Sequence, residues 1–385
     1  MKTIKKIITF LYIVFYWKIC NRLHSIMQKK FSYAHYIHVF EKVCKVKDVK
    51  TNVLTKEQKI KIDDFYRKCY GKKVTYMWHN FITSFNDKFD VKYLTPTAFV
   101  ELRNKLNLNF DSILYDKNFL YNFIGLAKVK VPKRLFYSIK NLFFDSSDNI
   151  ISKEDLYNKL SNMGETFIKP SNLRSSGYAK NCRLINVING IDIYSKKNIK
   201  DLIESNYPQD FIIQEKIVCH KSISDIYSKS VNTFSIYTFI WNGEVKVLNK
   251  PVLKIGMNDA TTDYSGIEKE GLIIAMDSEG YLSEFALNIN KNKWYSSHPN
   301  TGLVFKNHKI ENLKKVFESA KKLHSCVPWL GFCKWDITIN LDGEPVLIET
   351  EPPGELFQQQ ILYKEGFFGE YTEEVLTFLK NNGRR

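Results

Sequence analysis

Residues 334–351, KWDITINLDGEPVLIETE, form the stretch whose pattern most limits how this chain can fold. Two β-prone runs flank Asp342-Gly343, and Asp-Gly is typical of a two-residue type I′ turn because both central residues need positive φ. Such a turn predicts a β-hairpin in which Leu341 faces Glu344. Because side chains alternate between the two faces of a strand, this register predicts an apolar core face made of Ile337, Ile339, Val346 and Ile348.

The opposite face of the predicted hairpin carries acids. Asp336 falls directly opposite Glu349 in a non-hydrogen-bonded pair, in which the Cα atoms lie about 4.5 Å apart. Like charges so placed repel each other, so the pair needs a positive partner. Lys334 falls opposite a third acid, Glu351, and would neutralise it. Mg²⁺ is commonly held by one or two carboxylates together with phosphate oxygens, so Asp336 and Glu349 are candidate magnesium ligands; a solvated acidic face is the alternative.

The net charge limits the partners. The 385 residues include 57 Lys and Arg against 41 Asp and Glu, a formal net charge of +16. This excess favours phosphates, acidic glycans, nucleic acid or an anionic membrane surface, although solubility alone also explains it. The basic residues are scattered, without the stripe or motif of a nucleic-acid-binding protein, so we expect no nucleic-acid partner. With 44% hydrophobic residues, the chain is long enough for a globular protein of two or three parts.

The cysteines and the N-terminal segment bear on localisation. Seven cysteines, an odd number without a C-x-x-C pair, argue against a disulfide framework or a zinc site and favour the cytoplasm. Residues 7–17, IITFLYIVFYW, follow three lysines and are too short to span a bilayer, which takes about 20 residues. Residues 1–30 therefore have two interpretations: a basic, aromatic helix lying peripherally on the inner membrane face, or a helix docked on the protein.

Helical patterns dominate residues 31–115, and strand patterns begin near residue 164. The helices predicted in the front half are EQKIKIDDFYRKCY before Gly71, TPTAFVELRNKLN, and DKNFLYNFIGLAKV from Asp116. GETFIKPS and DFIIQEKI are apolar strands, and FSIYTFIWNGEVKVLNK is a hairpin around an Asn-Gly turn. A helix, IENLKKVFESAKKLHSC, precedes the acidic hairpin, and TEEVLTFLKNN is the last helix. This order predicts an α+β protein with a mainly helical N-terminal region.

Polar side chains follow two of the apolar strands. Gln214 and Glu215 end the strand DFIIQE, a position that often lines a cleft. Lys169 ends the strand ETFIK and opens a loop, where a lysine can meet a phosphate; the alternative is an ordinary hairpin. The loop residues that can offer backbone N–H groups to the same phosphate are Ser175, Ser176 and Gly177.

Taken in order, these pieces resemble the ATP-grasp enzymes, and among them the sugar-transfer-associated ATP-grasp family of polysaccharide gene clusters. The resemblance runs from about residue 90 to residue 360. The segments that carry it are LYDKN, FIKPSNLRSSG, IIQEKIVCHKSISDIYSKSVNT, DYSG followed by AMD, SSHPNTG, and KWDITINLDGEPVLIETEPPG.

The resemblance implies an ATP-grasp fold, in which two α+β lobes grip ATP and Mg²⁺ bridges its phosphates. Residues 116–205 are then the small lobe with a lid loop, and residues 206–385 the large lobe with the metal-binding hairpin. The implied ATP-binding residues are Lys117, Lys169, Ser175, Ser176, Gly177, Gln214, Glu215 and Ile217. The implied metal ligands are Asp336, Glu349 and Glu351.

The sequence departs from the family pattern at three positions. Glu351 stands where the family has Asn as its last metal ligand, Ser235 where it has Arg in SVNT-x-R, and Lys254 where it has Arg in L-R-x-G. Lysine lacks the bidentate fork of arginine. In the Asn-Gly hairpin, Lys250 is expected opposite Ser235, where it would restore the missing charge. We therefore predict an altered acceptor site whose catalytic residues are Lys254, Lys250 and Asn232.

The resemblance also implies ATP-dependent amide ligation. Enzymes of this class activate a carboxylate as an acyl phosphate, which an amine then attacks to release phosphate. Because the chain is basic, we expect an acidic substrate: an amino acid or amine would be joined to a carboxylated sugar or glycan in capsule or O-antigen polysaccharide biosynthesis. Two alternatives are a phosphotransferase of the same fold acting on a sugar, and a non-catalytic basic module that binds anions.

Overall fold

The computed structural model describes residues 53–108, 114, 116–171, 181–207, 210–263, 271–351, 353–354 and 356–382. The predicted interfacial segment 7–17 and the predicted phosphate-binding residues Ser175, Ser176 and Gly177 lie outside these ranges. Within them, no helix combines the length and apolarity needed to cross a membrane. The α-helices are α1 (Lys56–Cys69), α2 (Met77–Asn86), α3 (Pro96–Asn107), α4 (Lys117–Ile124), α5 (Lys153–Leu160), α6 (Ile199–Asn206), α7 (Lys221–Ser224), α8 (Leu313–Ser325), α9 (Phe357–Tyr363) and α10 (Thr372–Asn382).

The described strands form two sheets, so the predicted α+β class is confirmed. The first has the order β3-β2-β1-β8-β4-β5-β6-β7, and the second β14-β13-β12-β11-β9-β15-β16, with β10 paired to β9. The strands of the first sheet are β1 (Arg134–Ile139), β2 (Leu142–Asp145), β3 (Ile150–Ile151), β4 (Gly164–Pro170), β5 (Arg183–Ile188), β6 (Ile191–Asp192), β7 (Lys197–Asn198) and β8 (Phe211–Glu215). Those of the second are β9 (Thr233–Trp241), β10 (Glu244–Val247), β11 (Val252–Gly256), β12 (Gly271–Ala275), β13 (Ala286–Asn288), β14 (Lys293–Tyr295), β15 (Phe332–Ile339) and β16 (Pro345–Glu351).

The predicted N-terminal helices α1 and α3 form where their local signals place them. At the start of α1, the Thr55 hydroxyl accepts from the N–H of Gln58, whose side chain accepts from the N–H of Thr55. This capping box satisfies N–H groups that the first helical turn leaves without partners. Gly71 follows the end of α1 with a φ of +71°. Helices α1 to α3 pack with α9 and α10 against one face of the second sheet.

Strand β9 shows why the second sheet has two different faces. Phe234 and Ile236 belong to the apolar cluster that α8 covers. On the opposite face, Tyr237 lies under the N-terminal helices, whereas Thr233 and Ser235, at the start of the strand, are polar and buried. Burying one large apolar side chain contributes about 1.5–3 kcal/mol. The two apolar clusters therefore stabilise the sheet from both sides. They thereby fix the position of the polar residues Thr233 and Ser235.

Strand β8 marks the boundary between the two lobes. It lies in the centre of the first sheet, between β1 and β4. The predicted boundary at residues 205 and 206 assigns this strand to the large lobe, but its pairing places it in the small one. The chain crosses over after Glu215 and joins the second sheet at the bridge between Cys219 and Asn340.

The acidic hairpin forms, but its turn differs from the prediction. The N–H of Gly343 donates to the carbonyl of Asn340, and the N–H of Asn340 donates to the carbonyl of Glu344. Within residues 340–344 only Gly343 has a positive φ, +74°. The loop is therefore a three-residue connection with glycine in the left-handed position, not a type I′ turn. As a result, Ile339 pairs with Pro345, one residue away from the predicted partner.

A bulge in β16 restores the predicted register at the acids. Ile337 pairs with Leu347, whereas Asp336 pairs with Glu349, so Ile348 is the extra residue between them. A bulge leaves its extra residue outside the ladder and turns nearby side chains. The predicted opposition of Asp336 and Glu349 is thus confirmed, although the path from the turn to it is different.

Candidate active site

The two opposed acids are ionised, and Asp336 is buried whereas Glu349 is half-buried. Asp336 is only 5% exposed, and burial by itself raises the pKa of a carboxyl group. Positive neighbours outweigh burial, however, and hold the pKa of Asp336 and of Glu349 below the ordinary value. These neighbours are Lys254 and Lys334 for the first, and Lys117 and Lys169 for the second.

Lysines supply the positive charge that the acid pair needs. Nζ of Lys254 on β11 lies 2.8 Å from Oδ2 of Asp336. The hydroxyl of Ser235 donates to Oδ1 of Asp336 at 3.1 Å. Nζ of Lys117, at the start of α4, lies 2.6 Å from Oε1 of Glu349. The repulsion deduced from the register is therefore relieved by cations from distant parts of the chain.

Lys169 lies on β4 of the first sheet but reaches the second. Its Nζ donates to the carbonyl of Ile348, the bulged residue, at 3.2 Å. Lys169 is 4% exposed, and burial lowers its pKa to about 8, with a further lowering from Lys117 and a partial offset from Glu349. The ammonium therefore titrates much closer to neutral pH than that of an exposed lysine.

The predicted ATP-binding residues of strand β8 lie at the crossover between the two sheets. The side-chain amide of Gln214 donates to the hydroxyl of Tyr121 on α4. Oε1 of Glu215 accepts from the backbone N–H of Lys133 at 2.7 Å. Ile217 is half-buried in the connection that follows. This is the position in which the resemblance expects the hinge between the lobes.

Glu351 does not join the two opposed acids. Its Oε2 lies 3.3 Å from Nζ of Lys334, the residue opposite it in the hairpin. Across the described residues, no three His, Cys, Asp or Glu side chains come close enough to hold a metal ion together. The predicted three-carboxylate set is therefore reduced to Asp336 and Glu349.

Lys250 is not where the hairpin prediction placed it. Val252 on β11, rather than Lys250, lies opposite Ser235. Nζ of Lys250 lies 3.0 Å from Glu365 and donates to the carbonyl of Gly366. These contacts hold the connection after α9 and give Lys250 a structural role in place of the predicted catalytic one.

The side chain of Asn232 is likewise hydrogen-bonded within the protein. It is fully buried, and its Oδ1 accepts from the hydroxyl of Ser230 at 2.6 Å and from the N–H of Gly256 at 3.2 Å. Its amide donates to the carbonyl of Tyr227 at 2.7 Å. Asn232 therefore ties the start of β9 to the end of β11, which positions the site without offering a group to a substrate.

Asp263 is an acidic residue of the site whose role was not predicted from the sequence. Its Oδ2 accepts from the hydroxyl of Thr233. Burial raises the pKa of Asp263 to about 6, Asp336 adds to the rise, and Lys254 opposes it. Its only signal in the sequence is its place in the family-like segment DYSG, which does not show what the side chain contacts.

Two mixed α+β lobes, with lysines of both converging on a pair of opposed carboxylates, define a protein of the ATP-grasp class. More specifically, the chain belongs to the sugar-transfer associated ATP-grasp family, whose model matches residues 100–375.

Solved structures similar to this chain are those of ligases. VanG D-Ala:D-Ser ligase from Enterococcus faecalis is 16% identical with a TM-score of 0.39, over 70% of this chain and 62% of that one. D-alanyl-alanine synthetase A from Vibrio cholerae is 12% identical with a TM-score of 0.40, over 70% and 65%. An L-amino acid ligase from Bacillus licheniformis is 13% identical with a TM-score of 0.36, over 71% and 50%. The match thus spans less than two thirds of each of these chains. No curated protein matches this sequence.

Proposed function

We propose that this protein is an ATP- and Mg²⁺-dependent ligase that joins an amine or amino acid to a carboxylated sugar or glycan through an acyl phosphate. The observation that carries the proposal is the meeting of two ionised carboxylates with Lys117 and Lys169 on one side and Lys254 on the other. Phosphoryl transfer depends mainly on positioning and on neutralising the charge of the transferred group. Lysines of both lobes around one acid pair suit that requirement.

The acid pair fits Mg²⁺. Asp336 and Glu349 offer hard oxygen ligands from adjacent strands, and Mg²⁺ often takes only one or two protein carboxylates, with phosphate oxygens and water completing its shell. When bound, the ion would neutralise phosphate charge and polarise the transferred group. Lys117 and Lys254, which pair with these carboxylates, would then turn to a phosphate and to the substrate carboxylate.

The remaining site residues would bind different parts of ATP. Lys169, whose Nζ reaches the carbonyl of Ile348 where the two sheets meet, would bind phosphate oxygens. Gln214, Glu215 and Ile217 at the crossover would hold the adenine and ribose. Loop residues Ser175, Ser176 and Gly177 stay a prediction for the lid over the phosphates. Closure of the two lobes would exclude water, which otherwise hydrolyses an acyl phosphate.

The identity of the substrate is supported by charge and by family. A net charge of +16 favours an acidic substrate such as a uronic-acid glycan, and the family description associates these proteins with sugar transfer. Capsule or O-antigen assembly on the cytoplasmic side of the membrane would suit both, with peripheral contact through residues 7–17.

Product analysis tests the proposal. The purified protein is incubated with ATP, Mg²⁺, D-glucuronate or D-galacturonate, and hydroxylamine, which traps an acyl phosphate as a hydroxamate. We expect uronate-dependent release of ADP and phosphate, together with the hydroxamate mass. A phosphorylated sugar without hydroxamate would instead identify a phosphotransferase. Binding of anions without any turnover of ATP would identify a non-catalytic module.

A further inference from the structure

The polar face of the second sheet has two ends. At one end, Glu349 on β16 meets Lys117 and Lys169, which come from the first lobe. At the other end lie Lys254 on β11 and Asp263 beyond it. β16 and β11 are separated by three strand steps in the sheet order, about 14 Å at the usual strand spacing. ATP phosphates held at the first end leave the second end to the other substrates.

Asp263 is fixed at that second end by a hydrogen bond to its side chain and by the backbone of the residue before it. The hydroxyl of Thr233 donates to its carboxylate, and the preceding residue, Thr262, bridges to Val231 beside the start of β9. A Cβ atom added to Gly256 would lie 2.9 Å from the carbonyl of Thr262, so the chain after β11 folds back tightly. The carboxylate is therefore held over the polar face rather than at the end of a free loop.

The charges around Asp263 leave it with proton-accepting capacity. The groups that face it are Lys254 from β11 and Asp336 and Lys334 from β15. Lys254 also pairs with Asp336 at 2.8 Å, and Lys334 also lies 3.3 Å from Glu351. Lys254 therefore lies near both Asp336 and Asp263, and Lys334 lies near both Asp336 and Glu351. Asp263 is half-buried, and a carboxylate that faces both a lysine and another acid can accept a proton from a substrate ammonium.

We propose that Asp263 accepts the proton of the incoming amine in the ligation step. The inference rests on the proposed ligase function and names a residue for its second half. The substrate ammonium gives one proton to the Asp263 carboxylate, and the nitrogen lone pair forms the C–N bond at the acyl carbon. The C–O bond to phosphate breaks, and the phosphate leaves with that electron pair. The nitrogen loses a second proton to the leaving phosphate, and its third hydrogen stays in the amide.

Comparing two nucleophiles distinguishes a proton-accepting role of Asp263 from a structural role. Glycine is an ammonium at neutral pH and needs a proton acceptor, whereas hydroxylamine is already unprotonated and does not. With D-glucuronate, ATP and Mg²⁺, we expect Asp263→Asn to lower kcat/KM for glycine by about 10²–10⁴-fold, the usual contribution of a general base. Hydroxamate formation should stay near the wild-type rate. Asp259→Asn is the matched control, because Asp259 lies on the same loop, is exposed and pairs only with Lys229 among the contacts described.

A second variant guards against simple misfolding. Asp263→Ala should lose glycine ligation and regain part of it when formate, a small carboxylate, is added. Equal loss of the glycine and hydroxylamine reactions in Asp263→Asn, or glycine ligation at the Asp259→Asn rate, would overturn the role of Asp263. Absence of hydroxamate from the wild-type protein would instead overturn the ligase function itself.

Discussion

The charged residues of this site form ion pairs that a bound anion can replace. A buried carboxylate without a partner costs several kcal/mol, and Lys254 and Lys117 offset that cost for Asp336 and Glu349. The same lysines are the groups that an anionic substrate would attract. Binding of the nucleotide therefore exchanges one set of charge pairs for another without leaving a buried charge alone.

Glu349 and Glu351 of the hairpin should differ sharply. Glu349→Gln removes a proposed metal ligand and the partner of Lys117, so we expect ATP turnover to fall by about 10²-fold or more, the order of one lost electrostatic contact at a transition state. Glu351→Gln removes the acid that lies opposite Lys334 in the hairpin and should keep most activity. Steady-state ADP release measures both variants. Equal losses would return Glu351 to the metal set.

Lys169 predicts how ATP binding depends on pH. Its pKa in the ATP-free protein is lowered to about 8, so the ammonium is charged below that pH and loses its charge as the pH rises through it. ATP affinity should therefore fall above about pH 8, while Lys169→Arg should keep its charge and flatten the profile. Calorimetric titration with ATP over neutral to alkaline pH compares the two. Identical slopes would show that Lys169 does not contact phosphate.

Variants of Lys250 and Lys254 allow an effect on stability to be distinguished from an effect on activity. Lys250→Met leaves the buried carbonyl of Gly366 without its donor, so the free energy of unfolding should fall by about 1–3 kcal/mol with turnover per folded molecule nearly unchanged. Lys254→Met should instead abolish most of the turnover. Urea unfolding and ADP release provide the two measurements. Loss of turnover in a stably folded Lys250→Met protein would restore its predicted catalytic role.

Among the elements, the acidic hairpin shows what the sequence could and could not predict. The Asp342-Gly343 signal and the alternating pattern were enough to predict the hairpin. The predicted opposition of Asp336 to Glu349 holds because the longer turn and the bulge at Ile348 shift the register by one residue in opposite directions. The turn length and the bulge at Ile348 were missed, because each depends on which carbonyls find partners. The Ile348 carbonyl is bonded by Lys169, a residue of the other sheet, which no local pattern can indicate.

The loop after β11 was the harder element to predict. Asp263 reaches the site because residues 257–263 fold back over β9, and this contact joins parts of the chain that are far apart in sequence. Helix α2 and the role of Lys250 were missed for the same reason: tertiary contacts decide them. By contrast, α1 has a capping box, α3 begins at Pro96 and α8 follows from its helical spacing, and all three signals are local.

Gly256 tests how closely that loop must pack. Gly256→Ala puts a Cβ atom against the hydroxyl of Ser230 and 2.9 Å from the carbonyl of Thr262. Crowding of this kind costs about 1–3 kcal/mol, so we expect a lower melting temperature and weaker ligation through a displaced Asp263. Gly125→Ala is the control, since nothing lies within 4 Å of its added Cβ. Equal melting temperatures for the two variants would show that the loop tolerates the methyl group.

At the scale of the whole molecule, the site exists only because two sheets meet. Lys169 comes from the first sheet, Asp336 and Lys254 from the second, and the chain passes from the first sheet to the second after Glu215. A change in the angle between the lobes would open or close this charged cleft. Binding of ATP and Mg²⁺ should favour the closed arrangement, because only there do charges of both lobes reach the phosphates.

The most direct test is a crystal structure grown with a non-hydrolysable ATP analogue and Mn²⁺, whose anomalous scattering locates the metal. We expect a peak bound by Asp336 and Glu349, with Lys117 and Lys169 on phosphate oxygens instead of on the hairpin. A nucleotide bound with its metal elsewhere, while Lys254 and Lys117 still pair with the two carboxylates, would contradict the account.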